Sequence, residues 1–178
     1  MNRIAVIGNG GGGKTTLARR FEKMYNLPLT HVDSIQYLAG MKVREISETS
    51  TILNDLADGE RWIIDGFGSL EVMQRRFLLA DGVVFVDFPL WRHYWWCTKR
   101  QFKSIWRPRS ELAENINEAT VSHTIRLYKV VWRVHKQIRP KLLEMFSGVE
   151  MRDRVITISS MDDWNAVYRD GLANIDTR

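Results

Sequence analysis

The chain has 178 residues, 44% hydrophobic and 26% charged, with 26 Lys and Arg against 21 Asp and Glu for a formal net charge of +5. A chain of this length buries about 70% of its unfolded surface as one globular domain and needs no disulfide staple. The lone Cys97 excludes an intramolecular disulfide and a cysteine-based zinc site and is expected as a buried reduced thiol. No run reaches the roughly 18 apolar residues of a membrane span, and the N-terminus lacks the cationic and apolar regions of a secretory signal, so a cytoplasmic protein with no membrane partner is expected.

Ile4 to Ile7 reads as a first strand and runs directly into Gly8-Asn9-Gly10-Gly11-Gly12-Gly13-Lys14-Thr15, which fills the pattern G-x-x-x-x-G-K-[ST]. A helix is predicted from Thr15 to Met24, so the loop sits between a strand and a helix, where phosphate chemistry needs it. Without side chains, the glycines let successive backbone N–H groups turn toward one anion, and the helix adds the positive end of its dipole. Lys14 is placed to reach the β and γ phosphates of a nucleotide and Thr15 to offer Mg²⁺ a hydroxyl oxygen, with Asn9 and Thr16 as further nucleotide contacts. The motif does not choose between ATP and GTP. The guanine-reading N-K-x-D stretch of regulatory GTPases is missing and the chain is short for a mechanical ATPase, which leaves a small phosphotransferase as the leading class.

Further strands are predicted at Leu29 to Val32, Trp62 to Ile64, Val83 to Phe88 and Val155 to Ile158, separated by helices at Ile46 to Ala57 and Leu70 to Leu79. This alternation predicts an α/β fold: a five-stranded parallel sheet flanked by helices, in one domain over residues 1–178. Between the fourth and fifth strands, Leu90 to Phe102 and Glu118 to Phe146 read as helices, the second interrupted or bent at Pro140, with Ser104 to Asn117 as a loop. A last helix is expected near Ser160, capped by its hydroxyl, with Asp162 and Asp163 facing the positive helix end.

Charge is unevenly spread. Arg92 to Lys141 holds 12 Lys and Arg against 3 Asp and Glu, a balance of +9, and the remaining 128 residues balance at −4. Such a segment invites an anionic partner: a nucleic acid, a membrane surface or the phosphates of a small molecule. Trp91, Trp95 and Trp96 stand at helical spacing and could stack on a base or pack, packing being the expectation for such a stripe. His31, His93, His123 and His135 have no metal-ligand spacing and receive no metal role.

Taken in order, Gly8 to Thr15, His31-Val32-Asp33, Trp62 to Gly66, Ala80-Asp81-Gly82 through Asp87-Phe88-Pro89, Lys99-Arg100 and the Trp/Arg-rich stretch to Arg139-Pro140 resemble the P-loop nucleoside and nucleotide kinases. Within that class they resemble the adenylate-kinase-related proteins often labelled DNA topology modulation proteins, over roughly Met1 to Pro140. The resemblance implies a P-loop NTPase fold, ATP and Mg²⁺, phosphoryl transfer to a small acceptor, and a basic lid between the fourth and fifth strands at approximately residues 99–126. It implies that Lys99 and Arg100 meet the donor phosphates, with Arg126 and Arg133 as a second set of cations. Asp65, in Asp65-Gly66-Phe67, would orient Mg²⁺ together with Thr15. Asp33 would orient, and deprotonate, an acceptor hydroxyl, whereas Asp87 is expected to close the fourth strand. Adenylate kinases follow D-G-F with Pro-Arg, the Arg gripping the acceptor monophosphate. Here Gly68-Ser69 follows, so a nucleoside or another small hydroxyl compound fits the acceptor position at least as well as AMP. Two other readings stand beside the kinase: a nucleic-acid-binding P-loop protein, and a nucleotide-binding subunit without transfer activity.

Overall fold

The computed structural model describes residues 1–38, 40, 42–106 and 121–172, and for residues 100–106 and 121–124 the backbone alone. Five strands, β1 (Arg3–Gly8), β2 (Leu29–His31), β3 (Trp62–Asp65), β4 (Gly82–Val86) and β5 (Val155–Ile158), form one parallel sheet in the order β2-β3-β1-β4-β5. The central β1 pairs with both β3 and β4. Its C-terminal end therefore opens at the point where the strand order reverses, the position at which open α/β sheets bind ligands.

Alternation along β1 divides the core. Ile4 and Val6 face a cluster with Leu17 and Phe21 of α1 (Lys14–Tyr25) and Val167 of α9 (Met161–Asp170). Ala5 and Ile7 face the opposite cluster, with Leu53 of α3 (Ile46–Asp58), Met73 and Phe77 of α4 (Leu70–Leu79) and Leu142 of α7 (Arg139–Phe146). Because helices cover both faces, the strands read as continuous apolar runs rather than alternating ones. Two short helices complete these layers, α2 (Val32–Gln36) and α8 (Val149–Arg152). Between β4 and β5 the chain forms α5 (Leu90–Trp106) and α6 (Val121–Arg133), then a π-helical turn, Val134–Ile138, that leads into α7.

Several boundaries differ from the sequence reading. β2 stops at His31, and Val32 enters α2 with its side chain fully buried. β3 reaches Asp65, whose backbone is in register with Val6 on one side and His31 on the other. β4 stops at Val86, short of Phe88, although Asp87 N still donates to Ile158 O. Helix α5 continues through Trp106, so Ser104 to Trp106 are helical; the rest of the predicted loop and Glu118 lie outside the described residues. The break in the returning helix comes before Pro140. Proline has no N–H to donate to the carbonyl four residues back, and just ahead of it the ladder widens, the N–H of Arg139 reaching Val134 O. Of the tryptophan stripe, Trp96 packs edge-on against Phe88 at 4.8 Å, but Trp91 and Trp95 are 62% and 61% exposed, contrary to the packing expected for them. Ser160 caps α9 as expected, in a capping box: Asp163 N donates to Ser160 Oγ at 3.1 Å and Ser160 N to Asp163 Oδ2 at 2.9 Å. Cys97 is buried as a reduced thiol, as expected. Among the described residues no helix is long and apolar enough to cross a membrane.

Gly8 ends β1 at φ +145, and a Cβ there would collide with the carbonyl oxygen of Val86 and stand 2.9 Å from Val86 Cβ. Backbone strain and overpacking each cost about 1–3 kcal/mol. Gly8→Ala should therefore lower stability by at least about 2 kcal/mol, or roughly 4–8 °C in Tm for a chain of this size. A melting curve within 2 °C of the parent would contradict this packing.

Candidate functional site

The glycine loop is enclosed by protein on several sides. A Cβ at Gly10 would stand 3.4 Å from Val131 Cγ2 of α6, and one at Gly11 would stand 3.0 Å from Cys97 Sγ of α5. At Gly12 it would meet Val86 Cγ1 at 2.9 Å and His93 Cε1 at 3.3 Å, and at Gly13 it would meet Trp164 Nε1 of α9 at 2.9 Å. The four glycines thus leave the room into which α6, α5, β4 and α9 press. Hydrogen bonds reinforce the contact. Asn9 Nδ2 donates to Val131 O at 2.8 Å, and His93 Nδ1 donates to Gly10 O at 2.9 Å.

Inside the loop Asn9 is the common acceptor. Its Oδ1 takes the N–H of Gly10 at 2.8 Å, and its main-chain carbonyl takes Lys14 Nζ at 2.9 Å. These are donors that a phosphate would use, and phosphate oxygens, being charged, compete well against a neutral amide or carbonyl. Thr15, in the first turn of α1, donates through Oγ1 to Asp65 Oδ2 at 3.0 Å. His31 Nδ1 lies 3.1 Å from the same oxygen, and Asp65 is only 5% exposed. The second oxygen, Oδ1, is buried with no partner among the described residues. A hydroxyl and a carboxylate oxygen side by side, next to a loop shaped for phosphates, fit Mg²⁺, which takes one or two protein oxygens and fills its remaining positions from water and substrate phosphates.

A cleft opens beside the loop, walled by Asn9, Phe67, His93, His135, Asp87 and Arg139. Arg139 grips Asp87 with both arms of its fork, Nε to Oδ1 at 2.6 Å and Nη2 to Oδ2 at 2.7 Å. These bonds hold the Arg139 proton more tightly than usual. Burial lowers the pKa of His93, and the charge of Lys14 lowers it further, against the carbonyls of Gly10 and Phe88 and the charge of Asp87. His135 is lowered as well, by burial and by the neighbouring Arg139.

The structure places Thr15 against Asp65, the two residues to which the resemblance assigns Mg²⁺, and Lys14 precedes Thr15 at the start of α1 with its Nζ on the Asn9 carbonyl. Asp33 is exposed in the first turn of α2, two residues from His31. Lys99 is exposed on α5, where the Arg100 backbone follows it, and Arg126 and Arg133 are exposed on α6. Sequence reasoning missed His31, His93 and the Asp87–Arg139 pair. His93 and Cys97, one helical turn apart and followed by Trp96 on Phe88, form a buried face of α5, and that spacing was the available signal. The Asp87–Arg139 pair joins positions 52 residues apart and had none.

The sequence matches no protein-family model and no curated protein. In fold the chain is similar to the shikimate kinase from Acinetobacter baumannii in complex with shikimate, at a TM-score of 0.55 and 16% identity, covering 90% of this chain and 84% of that one. It is similar to the shikimate kinase from Bacteroides thetaiotaomicron at 0.51 and 16%, covering 78% and 80%, and to a gluconokinase from Sinorhizobium meliloti at 0.52 and 13%, covering 97% and 90%. The shared feature is the α/β fold of P-loop small-molecule kinases, with its five-stranded parallel sheet.

Because His93 is held neutral below its usual 6.5, the folded protein binds this proton less readily than the unfolded chain. Its contribution to stability is complete above about pH 6.5 and is lost as pH falls through the lowered folded value. His135 acts in the same direction. Melting temperature should fall between pH 7.5 and 5 in the parent and fall less in His93→Gln; equal slopes would remove His93 as the cause.

Proposed function

We propose that the protein is a cytoplasmic, single-domain P-loop kinase that transfers the γ-phosphoryl group of ATP to a hydroxyl of a small acceptor, a nucleoside, nucleotide or other small molecule. The observation that carries this reading is the contact of Thr15 with Asp65 beside Lys14, at the mouth of the glycine loop. The similar folds support it, being kinases named for shikimate and gluconate. The finer assignment, to the adenylate-kinase-related proteins labelled for DNA topology modulation, rests on the ordered motifs from Gly8 to Pro140.

In this reading the N–H groups of Gly8 to Gly13, with Asn9 and Thr16, take the donor phosphates, and Lys14 leaves the Asn9 carbonyl to span the β and γ groups. Mg²⁺ held by Thr15 and Asp65 would neutralise charge on those two phosphates. Lys99 and Arg100 meet the donor phosphates from α5, and Arg126 and Arg133 approach them from α6. Asp33 orients the acceptor hydroxyl and accepts its proton.

One observation favours a second reading, nucleic-acid binding. Trp91 and Trp95 are exposed one turn apart, with the exposed Lys99 one turn further along the same helix. A protein neutralising Z phosphates of a duplex loses affinity with a log–log salt slope of about −0.9Z. Duplex association with a slope of several units would support this reading, and no salt-sensitive association would dispose of it.

ATP with Mg²⁺ at a hundred times its dissociation constant should stabilise the fold by about 2.7 kcal/mol, a rise of roughly 5–10 °C in Tm. Purified protein should release ADP when supplied with the right member of a panel of nucleosides, nucleotides and small hydroxyl compounds, with GTP tested as donor in parallel. Lys14→Ala should abolish that release while leaving the unliganded melting curve in place. ATP binding with no acceptor-stimulated release across the panel would instead favour a binding subunit.

Asp33→Asn should suppress transfer more than ATP binding, compared through kcat and the nucleotide-induced Tm shift. Equal loss of both would place Asp33 in the nucleotide or metal site.

A further inference from the structure

Beneath the strand end that carries Asp65 lies an arginine that no motif singles out. Arg76, on α4, is 0% exposed, the largest fully buried side chain among the described residues. Its Nη2 donates to Gly66 O at 2.7 Å. Nε and Nη1 are buried with no partner among the described residues, as is Asp65 Oδ1. Burial lowers the Arg76 pKa to about 10, against the attraction of Asp65, which raises it. At neutral pH it is a cation, enclosed on the side of the sheet where Phe77, Met73 and Val72 pack.

Stability alone explains such a residue poorly. Taking a guanidinium out of water is costly, and a buried charge that keeps one hydrogen bond of its possible five is usually matched or bettered by an apolar side chain of the same shape. The location is more informative. Gly66 turns the chain at φ +121 immediately after Asp65. Its N–H donates to Val6 O at 3.0 Å, the space a Cβ would take is closed by Val32 at 3.0 Å, and its carbonyl is held by Arg76. The turn is therefore clamped from β1, α2 and α4, and the α4 clamp is charged. On the opposite side of the turn, Asp65 presents Oδ2 to Thr15 and His31.

We propose that Arg76 is a positioning residue: from inside the core it fixes the Asp65–Gly66 turn and supplies the counter-charge to Asp65, so that the carboxylate stays aimed at Thr15 and the metal that accompanies the nucleotide. Arg76 touches neither nucleotide nor acceptor and acts through Asp65. This rests on the kinase reading, and the two can fail separately.

The test compares the parent with Arg76→Met, which keeps length and apolar bulk, and Arg76→Lys, which keeps the charge without the fork. For each, Tm without ligand, the ATP-induced Tm shift as a function of Mg²⁺ concentration, and the KM and kcat of ADP release are measured. Loss of an outer contact to a metal ligand typically costs 10–100-fold in metal affinity or activity. Arg76→Met should keep its unliganded Tm within a few degrees while the Mg²⁺ concentration that half-saturates the ATP shift rises at least tenfold and kcat falls. The KM of the acceptor should stay unchanged, and Arg76→Lys should recover a substantial part of the Mg²⁺ response. An unaltered Mg²⁺ response in Arg76→Met overturns the proposal, and so does the failure of both variants to fold, which would make Arg76 a residue of the fold. If the parent itself shows neither an ATP shift nor ADP release, the kinase reading falls and takes this role with it.

Discussion

Close packing against a loop that has no side chains is the constraint from which the rest of the site follows. Gly10 to Gly13 leave no Cβ in the way of Val131, Cys97, His93, Val86 and Trp164, so four elements from distant parts of the chain meet at the end of β1. A conventional account of a glycine-rich loop stresses room for the phosphate. Here the same missing atoms also admit the helices that follow β4, which brings α5 and α6 directly against the loop. Asn9, bonded to the carbonyl of Val131 in buried surroundings, ties the loop to the returning helix. The loop and α6 are thereby in direct contact.

Electrostatics at the site divides between two sides. On one, Asp65 gathers Thr15 and His31 on a single oxygen, and the buried Arg76 holds the carbonyl of the next residue, Gly66. On the other, Asp87 is neutralised by both arms of Arg139. Lys14 is held by the main-chain carbonyl of Asn9 rather than by a carboxylate. Leaving the loop lysine without a strong partner keeps it available for an incoming anion, since an ion pair would have to be broken first. The positive excess of Arg92 to Lys141 resolves the same way. Arg139 is spent on Asp87, and Arg92 lies over Phe88, Trp91 and Trp96. Among the described residues of that segment, Lys99, Arg126, Lys129, Arg133, Lys136 and Lys141 remain exposed.

Short-range signals carried most of the architecture. The strand–glycine–helix order at Ile4 to Met24 placed the phosphate loop, and Ser160 with Asp163 placed the last helix, because both depend on groups within a few residues of one another. Errors fell where a remote neighbour decides. Val32 left β2 for α2 because its side chain fills the core against Gly66, a contact between positions 34 apart. Trp91 and Trp95 obey the same helical spacing as Trp96, yet only Trp96 finds Phe88 beneath it. Helical period identifies a face without saying whether anything covers it.

Sequence alone determined the fold class and the glycine loop, with Lys14 and Thr15 at its end, because hydrophobic period and a contiguous motif are written in local spacing. Asp65 was visible as a strand-end carboxylate. That it shares an oxygen with Thr15 and His31, next to a turn whose carbonyl a buried arginine holds, emerged only from the tertiary structure. The partners of a charge are chosen by which strand ends and helices converge on it, and convergence over tens of residues leaves no periodic trace in the chain. The net charge of +5 did not say which cations pair; the fold sets Arg139 on Asp87 and buries Arg76, while Lys99, Arg126 and Arg133 stay exposed.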